Sequence, residues 1–214
     1  MADHAVIGYI HPGTVRAEFC ASLLAIAMEG KTPLDGVLTL ESGPNISTAR
    51  NKLCDRFLRD YQAPWLFMLD TDMVLPGDGL DRLITAADPV ARPVVGALCH
   101  SLERGAQVST MYELAEGKGG ALAFTRHSRW PEGATVRVSA TGAAALLVHR
   151  DALRTVRKHA GDVAAPWFRE SAVGAPLSLM GEDMTFCLRC AAAGIPVHVA
   201  TGVKAGHMKT TMLI

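Results

Sequence analysis

The stretch WLFMLDTDMVLP, residues 65–76, runs from five apolar residues directly into two aspartates that are one residue apart. The apolar run predicts a buried strand. Asp70 and Asp72 follow where the strand gives way to a loop, so both carboxylates can turn toward one point although side chains alternate along a strand. Two crowded carboxylates repel each other unless a proton or a cation relieves them. The stretch therefore indicates a strand whose end holds a cation.

Strands and helices alternate along the first hundred residues. The apolar runs predict strands at residues 5–10, 36–40, 65–69 and 93–99. Helices are predicted at about 14–29, about 45–61 and 78–87, with Thr14 and either Asn45 or Ser47 as N-caps. Such alternation favours right-handed crossovers and a mainly parallel sheet.

Open sheets of this kind bind ligands beyond the carboxyl ends of their strands. Three predicted strand ends carry residues suited to a binding crevice. They are His11-Pro12-Gly13, Glu41-Ser42 and Asp70-Thr71-Asp72. We therefore expect these three segments to meet at one edge of the sheet.

The pattern changes after residue 100. Residues 108–114 predict one strand, 141–153 a strand that enters a helix, 181–194 a helix that ends at Gly194, and 195–200 a last strand. Irregular structure is expected at 116–134 and 165–178, and a tail at 201–214.

Composition limits the function classes. The 21 basic and 21 acidic side chains balance, which argues against a dedicated nucleic-acid binder. The start of the chain lacks the basic and apolar segments of a signal peptide, and no stretch approaches the roughly 20 apolar residues that cross a bilayer. The five cysteines are odd in number and are expected to be reduced thiols. A cytoplasmic protein without a membrane segment is expected.

The order of motifs resembles a known family. NISTARNKL at 45–53, FMLDTDMVLP at 67–76, a Gly-containing strand before a helix, and Gly181-Glu182-Asp183 follow one another as in GT-A glycosyltransferases, especially family-2-like members. The resemblance covers roughly residues 5–207. It implies an α/β, Rossmann-like GT-A fold with a mainly parallel mixed central sheet flanked by helices. It further implies one domain, 1–214, with a nucleotide-binding half at 1–100 and an acceptor-binding half and tail at 101–214.

The same resemblance implies a bound metal, Mn²⁺ or Mg²⁺, and a nucleotide-diphosphate sugar, UDP-hexose, as donor. A hard cation held by carboxylates neutralises the charge of a departing diphosphate. Asp72 would be the direct ligand, and Asp70 would contact the ribose or reach the metal through water. His207 would complete the metal shell, and Lys204 and Lys209 would pair with diphosphate oxygens.

The resemblance also assigns residues to the nucleotide. His11, Pro12 and Gly13 follow the first strand, where the family contacts base and ribose, and Glu41 stands where relatives bind the uracil ring. Arg50 could reach the nucleotide or a phosphate through two hydrogen bonds. Glu41-Ser42-Gly43 replaces the commoner Asp-Asp-Gly-Ser, which leaves the identity of the base open.

Glu182 and Asp183 would supply the catalytic or acceptor-binding acid. In an inverting enzyme Asp183 would take the acceptor proton, whereas in a retaining enzyme it would position acceptor or donor. Under the resemblance, a His207 ligand is typical of retaining branches and Glu182-Asp183 of inverting ones, and retention is the expectation. The acceptor is open among a sugar, a small molecule and a protein, and a homodimer is possible.

Three other interpretations stay open from the sequence. Asp70 and Asp72 can be a solvated strand end or helix cap. The string MLDTDMV also fits haloacid-dehalogenase-like phosphohydrolases, in which Asp70 would be the nucleophile, although those enzymes usually carry it on the first strand. A non-catalytic sugar-nucleotide-binding module would keep the crevice without turnover.

Overall fold

The computed structural model describes residues 3–116, 122–173 and 178–209. The helices are α1 (Ala17–Glu29), α2 (Ile46–Asp60), α3 (Gly79–Ala86), α4 (Arg150–Ala160) and α5 (Glu182–Ala192). The strands of the first half are β1 (Ala5–His11), β2 (Leu34–Glu41), β3 (Trp65–Leu69), β4 (Met73–Val74) and β5 (Val94–Leu98). The remaining strands are β6 (His100–Glu103), β7 (Ala106–Ser109), β8 (Met111–Glu116), β9 (Leu122–Arg126), β10 (Thr135–Val138), β11 (Ala140–Thr141), β12 (Ala145–His149), β13 (Ser171–Val173), β14 (Ser178–Met180), β15 (Val197–Lys204) and β16 (Gly206–His207).

The central sheet has seven strands in the order β10-β15-β5-β12-β3-β1-β2. Strand β1 is parallel to β2 and β3, and β15 is parallel to β5. Strand β12 lies antiparallel between β3 and β5, so those two share one direction, and β10 is antiparallel to β15. Five strands thus run one way and two the other. The expected mainly parallel mixed sheet is confirmed.

Helices cover both faces of this sheet. Successive residues of a strand point to opposite faces. Val6 and Leu66 belong to one buried cluster, whereas Ile7 and Phe67 belong to another. The first cluster contains buried residues of α2, α4 and α5, namely Leu53, Phe57, Leu153, Val156 and Phe186. The second contains residues of α1 and α3, namely Phe19, Ile26, Leu80 and Leu83.

Helix α2 begins as the sequence predicts. The Asn45 side chain accepts a hydrogen bond from the Thr48 amide at 2.8 Å, which caps the helix. Ala49, Leu53 and Phe57 recur every four residues and are buried against the sheet. This packing fixes which helical side chains face the carboxyl edge.

The first helix differs from the prediction at its start. Arg16, in an extended conformation, is the N-cap of α1, rather than Thr14. Gly13 adopts φ +103 and its amide hydrogen-bonds to His11 Nδ1 at 3.0 Å, so the chain turns back before it enters the helix.

Two segments predicted as irregular contain strands. Leu122–Arg126 pairs antiparallel with β8, while residues 117–121 lie outside the described residues. Ser171–Val173 and Ser178–Met180 pair as a hairpin, and residues 174–177 lie outside the described part. The single strand predicted at 108–114 is two, separated at Thr110. These strands pair with neighbouring segments as hairpins, which the Gly-rich composition of the connecting residues conceals in the sequence.

The predicted tail is the largest correction. Residues 201–204 complete β15, and Gly206–His207 pairs antiparallel with Met73–Val74, while 210–214 lie outside the described residues. Because β4 directly follows Asp72, this short pairing places His207 beside it. Within the described ranges, none of the helices combines the length and the hydrophobicity that a membrane span requires.

Candidate active site

The carboxyl edge of the parallel strands holds a cleft of about 280 Å³. The residues that line it come from three strand ends and from α2; they are Ile10, Pro12, Ser42, Ile46, Arg50, Asp70, Thr71 and Asp72. His11 and Glu41 are register partners at the same edge, and the Ser42 amide donates to the His11 carbonyl at 2.8 Å. Larger clefts, up to about 520 Å³, lie elsewhere, so the lining rather than the size distinguishes this one.

Asp72 lies between two basic side chains at this cleft. Its Oδ2 atom is 2.8 Å from His207 Nε2 and 3.2 Å from Lys209 Nζ. The Met208 amide donates to the Asp72 carbonyl at 2.8 Å, which holds the returning chain in place. Burial raises the pKa of Asp72, but its contacts with His207 and Lys209 lower it by more, so its net pKa is below the usual value. Asp72 therefore carries a negative charge that a cation can bind.

The orientation of His207 fits a metal ligand. Its Nδ1 atom is 2.7 Å from the His100 carbonyl oxygen, which only accepts, so Nδ1 carries the proton. In a neutral ring Nε2 then presents a lone pair to the Asp72 carboxylate, and a 2.8 Å contact between two acceptors requires a proton or a cation. Metal-binding histidines commonly donate their other N–H to a carbonyl in this way.

The donor set suits a divalent ion that takes both oxygen and nitrogen, such as Mn²⁺. Asp72 supplies the oxygen and His207 the nitrogen. Among residues 3–116, 122–173 and 178–209 there is no group of three or more histidine, cysteine or acidic residues arranged to hold a metal. The rest of a coordination shell would therefore come from a bound ligand or water.

Arg50 joins two carboxylates next to the cleft. Its Nη2 atom donates to both oxygens of Asp70, at 2.7 and 2.8 Å, and Nη1 donates to Glu182. The guanidinium lies 5.7 Å from the Phe168 ring centroid. Burial lowers the pKa of Arg50, but Asp70 and Glu182 raise it by more, so the net shift is upward. One buried cation thus holds together acids that lie 112 positions apart in the sequence, at 70 and 182.

Asp183 is the other acid of the first turn of α5. The Met184 amide donates to its Oδ1 atom at 2.8 Å. Burial, and then the charge of Glu182, raise the pKa of Asp183 above its usual value. A Cβ on Gly142 would lie 3.7 Å from Asp183 Oδ2, which is an ordinary van der Waals contact, so Gly142 packs beside this carboxylate. The carboxylate is therefore partly buried and destabilised in its charged form.

Replacement of Asp183 by asparagine is expected to stabilise the fold at neutral pH. The pKa of Asp183 is higher in the folded chain than in the unfolded chain. The folded chain therefore loses stability as the pH rises from the unfolded-state pKa through the folded-state pKa. It does not regain that stability at higher pH. The asparagine variant lacks this loss, so its advantage should vanish in acid, below the usual carboxyl pKa. Urea unfolding at several pH values measures it, with the exposed Asp162→Asn as the control. A variant less stable than the parent chain at pH 7 would contradict the assignment.

The structure brings together many of the predicted site residues, but not all. Pro12, Arg50, Asp70 and Asp72 line one cleft, whereas Lys204 Nζ bonds Glu132 at 2.8 Å instead of the acids of the cleft. Sequence reasoning missed the role of His100, whose carbonyl orients the His207 ring. The contact uses a backbone carbonyl, which every residue has, so the sequence carries no signal for it.

Comparison with known proteins gives a fold. No protein-family model and no curated protein matches the sequence. Among solved structures, A197 from STIV is similar with a TM-score of 0.61 and 16% identity over 97% of this chain and 86% of that one. GalNAc-T7 with UDP, GalNAc and Mn²⁺ is similar with a TM-score of 0.60 and 10% identity over 96% of this chain, which spans 44% of that one. The chain has the expected Rossmann-like GT-A fold.

Proposed function

We propose that the chain is a metal-dependent glycosyltransferase that moves a hexose from a nucleotide diphosphate, UDP-hexose, to an acceptor hydroxyl. The observation that carries the proposal is the 2.8 Å contact of Asp72 with His207, whose ring is oriented by the His100 carbonyl. The solved structure of GalNAc-T7, which shares the fold, was obtained with UDP, GalNAc and Mn²⁺. The cleft is also at the strand ends where sheets of this kind bind ligands.

The residues divide the work as follows. Asp72 and His207 would hold Mn²⁺ or Mg²⁺, which when bound neutralises charge that develops on the departing diphosphate. Lys209, 3.2 Å from Asp72, is near enough to turn its ammonium toward diphosphate oxygens. Lys204 would bind the same diphosphate, and for this its ammonium would have to exchange Glu132 for the donor.

The nucleotide would occupy the ends of the first two strands. His11, Pro12 and Gly13 would contact base and ribose, and Glu41 would bind the base. Asp70 would accept hydrogen bonds from the ribose while Arg50 holds its carboxylate in place. In this role Arg50 positions two acids instead of binding a phosphate itself.

Glu182 and Asp183 would face the acceptor. We propose that the anomeric configuration is retained, as the resemblance implies for a chain with His207 in the metal shell. Asp183 would then position the acceptor or donor. Proton NMR of the product measures its configuration, and an inverted product would make Asp183 the base that removes the acceptor proton.

A phosphohydrolase with Asp70 as nucleophile fits these contacts less well. Both carboxylate oxygens accept hydrogen bonds from Arg50, which lowers their nucleophilicity and blocks their approach to phosphorus. The aspartate also follows the third strand of the chain instead of the first.

Release of UDP from UDP-sugars tests the proposal. With Mn²⁺ present, at least one of UDP-glucose, UDP-galactose and their N-acetylamino counterparts should release UDP, and a chelator should stop the reaction until excess Mn²⁺ is added. Release that is indifferent to chelation would refute the metal assignment. Phosphate release from an aryl phosphate that is lost in Asp70→Asn would favour the phosphohydrolase, and UDP binding without turnover with any donor would favour the non-catalytic module.

A further inference from the structure

The outer side of α1, which faces solvent, is apolar along most of the helix. From Phe19 to Met28 the helix contains no charged residue, and its two acids, Glu18 and Glu29, stand near its ends. Leu24 is 61% exposed and Met28 is 81% exposed. A helix that is hydrophobic all round is normally buried. The outer side of α1 thus has the composition of an interface, although the fold leaves it open to solvent.

Ser22 fixes which side of α1 faces outward. Its hydroxyl donates to the Leu75 carbonyl at 2.9 Å and accepts from the Leu75 amide at 2.8 Å. Phe19 and Ile26 are buried on the same side of the helix and belong to one of the two core clusters. Turning the helix over would break these contacts. The outer side can therefore be buried only by another surface.

The apolar residues of the outer side have the spacing of a helix–helix contact. Ala17, Ala21, Leu24 and Met28 recur at intervals of four, three and four residues. This alternation of four and three forms the seam between two packed helices. In an antiparallel pair of α1 helices, Ala17 would face Met28 and Ala21 would face Leu24. Each small side chain then lies opposite a large one, which is the arrangement that packs without voids.

The charges at the two ends of α1 favour the same antiparallel arrangement. Arg16 is the N-cap and Glu29 is the last residue of the helix, and both are exposed. Each has the wrong sign for its own helix end, because the N-terminus favours an anion and the C-terminus a cation. In the antiparallel pair, Arg16 of each copy would lie beside Glu29 and the helix C-terminus of the other copy. A second copy thus complements both charges.

We propose that α1 is the interface of a homodimer, in which two copies of the helix pack antiparallel about a two-fold axis. Such an interface uses the same surface of both copies, so each favourable pair of residues occurs twice. A membrane fits less well, because helices that lie on membranes carry basic residues beside their apolar face, whereas α1 carries Glu18 and Glu29. The inference does not depend on the proposed transfer reaction.

Sedimentation equilibrium over a range of protein concentrations tests the interface. The parent chain should form a dimer that dissociates on dilution. Leu24→Glu should raise the dissociation constant at least about 100-fold, because burying an unpaired charge is costly and the two-fold axis introduces it twice. Val163→Glu is the matched control and should leave the dimer unchanged. Val163 is 44% exposed but lines a cleft with α2, which covers the opposite face of the sheet from α1.

Exchange of the end charges tests the orientation of the two helices. Arg16→Glu and Glu29→Arg should each weaken the dimer about tenfold, because each places like charges opposite one another at two symmetric positions. The variant that carries both changes should regain the affinity of the parent chain. Each reversal suits the dipole of its own helix end, so circular dichroism should show an unchanged fold.

The outcomes separate this inference from the proposed function. A chain that stays monomeric at every concentration refutes the homodimer, and so does a dimer that is indifferent to Leu24→Glu. Single charge reversals that the double variant does not correct refute the antiparallel arrangement. Monomers that bind lipid vesicles through Leu24 would show that the apolar side serves a membrane, and the proposal would be wrong. Failure to release UDP would refute the proposed function and leave the dimer standing.

Discussion

Replacement of Asp72 by alanine is expected to lower Mn²⁺-dependent UDP release by at least about 100-fold, the usual effect of removing a group that stabilises developing charge. Asp72 is the carboxylate in contact with both His207 and Lys209. Without it His207 keeps its hydrogen bond to the His100 carbonyl but has no anionic neighbour in that contact. The ion would then lose its only proposed carboxylate ligand.

The measurement pairs turnover with metal binding. Binding of Mn²⁺, followed by its electron paramagnetic resonance signal, should weaken in Asp72→Ala and in His207→Ala in parallel with UDP release. Asp78→Ala is the matched control, since this exposed aspartate lies six positions further along and its side chain makes no capping hydrogen bond. Unchanged turnover in Asp72→Ala would overturn the metal assignment.

Replacement of Arg50 by methionine is expected to cost about 3 kcal/mol of unfolding free energy, at the lower end of what breaking a buried ion pair costs. The Arg50 side chain is 7% exposed, while Asp70 and Glu182 are 30% and 19% exposed. Methionine can fill much of the volume and keep the contact with Phe168, but it leaves both carboxylates without the guanidinium that pairs with them. Activity should fall as well, because Asp70 loses its fixed orientation.

Urea unfolding measures this effect against a surface arginine of the same helix. Arg56 pairs with Asp60 at 3.5 Å and is 44% exposed, so Arg56→Met should cost at most about 1 kcal/mol. Adding Asp70→Asn and Glu182→Gln to Arg50→Met should restore part of the lost stability, since the unpaired charges are then gone. If Arg50→Met is as stable as Arg56→Met, the ion pairs of Arg50 with Asp70 and Glu182 do not stabilise the fold.

Much of the fold was predictable because its signals are local. The apolar runs at β1, β3 and β5, and the Asn45 cap of α2, depend on residues near one another in the sequence. The antiparallel insertion of β12 between β3 and β5 was not predicted, since the order of strands depends on pairing between distant segments. The hairpins β8–β9 and β13–β14 are local, but their short strands lie in segments whose glycines and prolines favour the prediction of loops.

The candidate site was likewise predictable in part. Asp70, Asp72 and Arg50 stand in motifs, and their presence at one cleft follows from the alternation of strands and helices. The bonds of Arg50 to Asp70 and Glu182 do not follow, because the guanidinium of a helical arginine near the end of the sheet can bind a phosphate or a carboxylate equally well. His207 was predicted as a ligand, but the two-residue pairing with β4 that places it is too short to leave a sequence pattern.

A crystal structure of the chain with UDP and Mn²⁺ tests the central claim most directly. We expect one ion bound by an Asp72 carboxylate oxygen and His207 Nε2, with diphosphate oxygens completing its shell and Lys209 displaced from its present contact. Asp70 should remain paired with Arg50. An ion that binds elsewhere, or a UDP molecule that leaves Asp72 and His207 in contact with no ion between them, would contradict it.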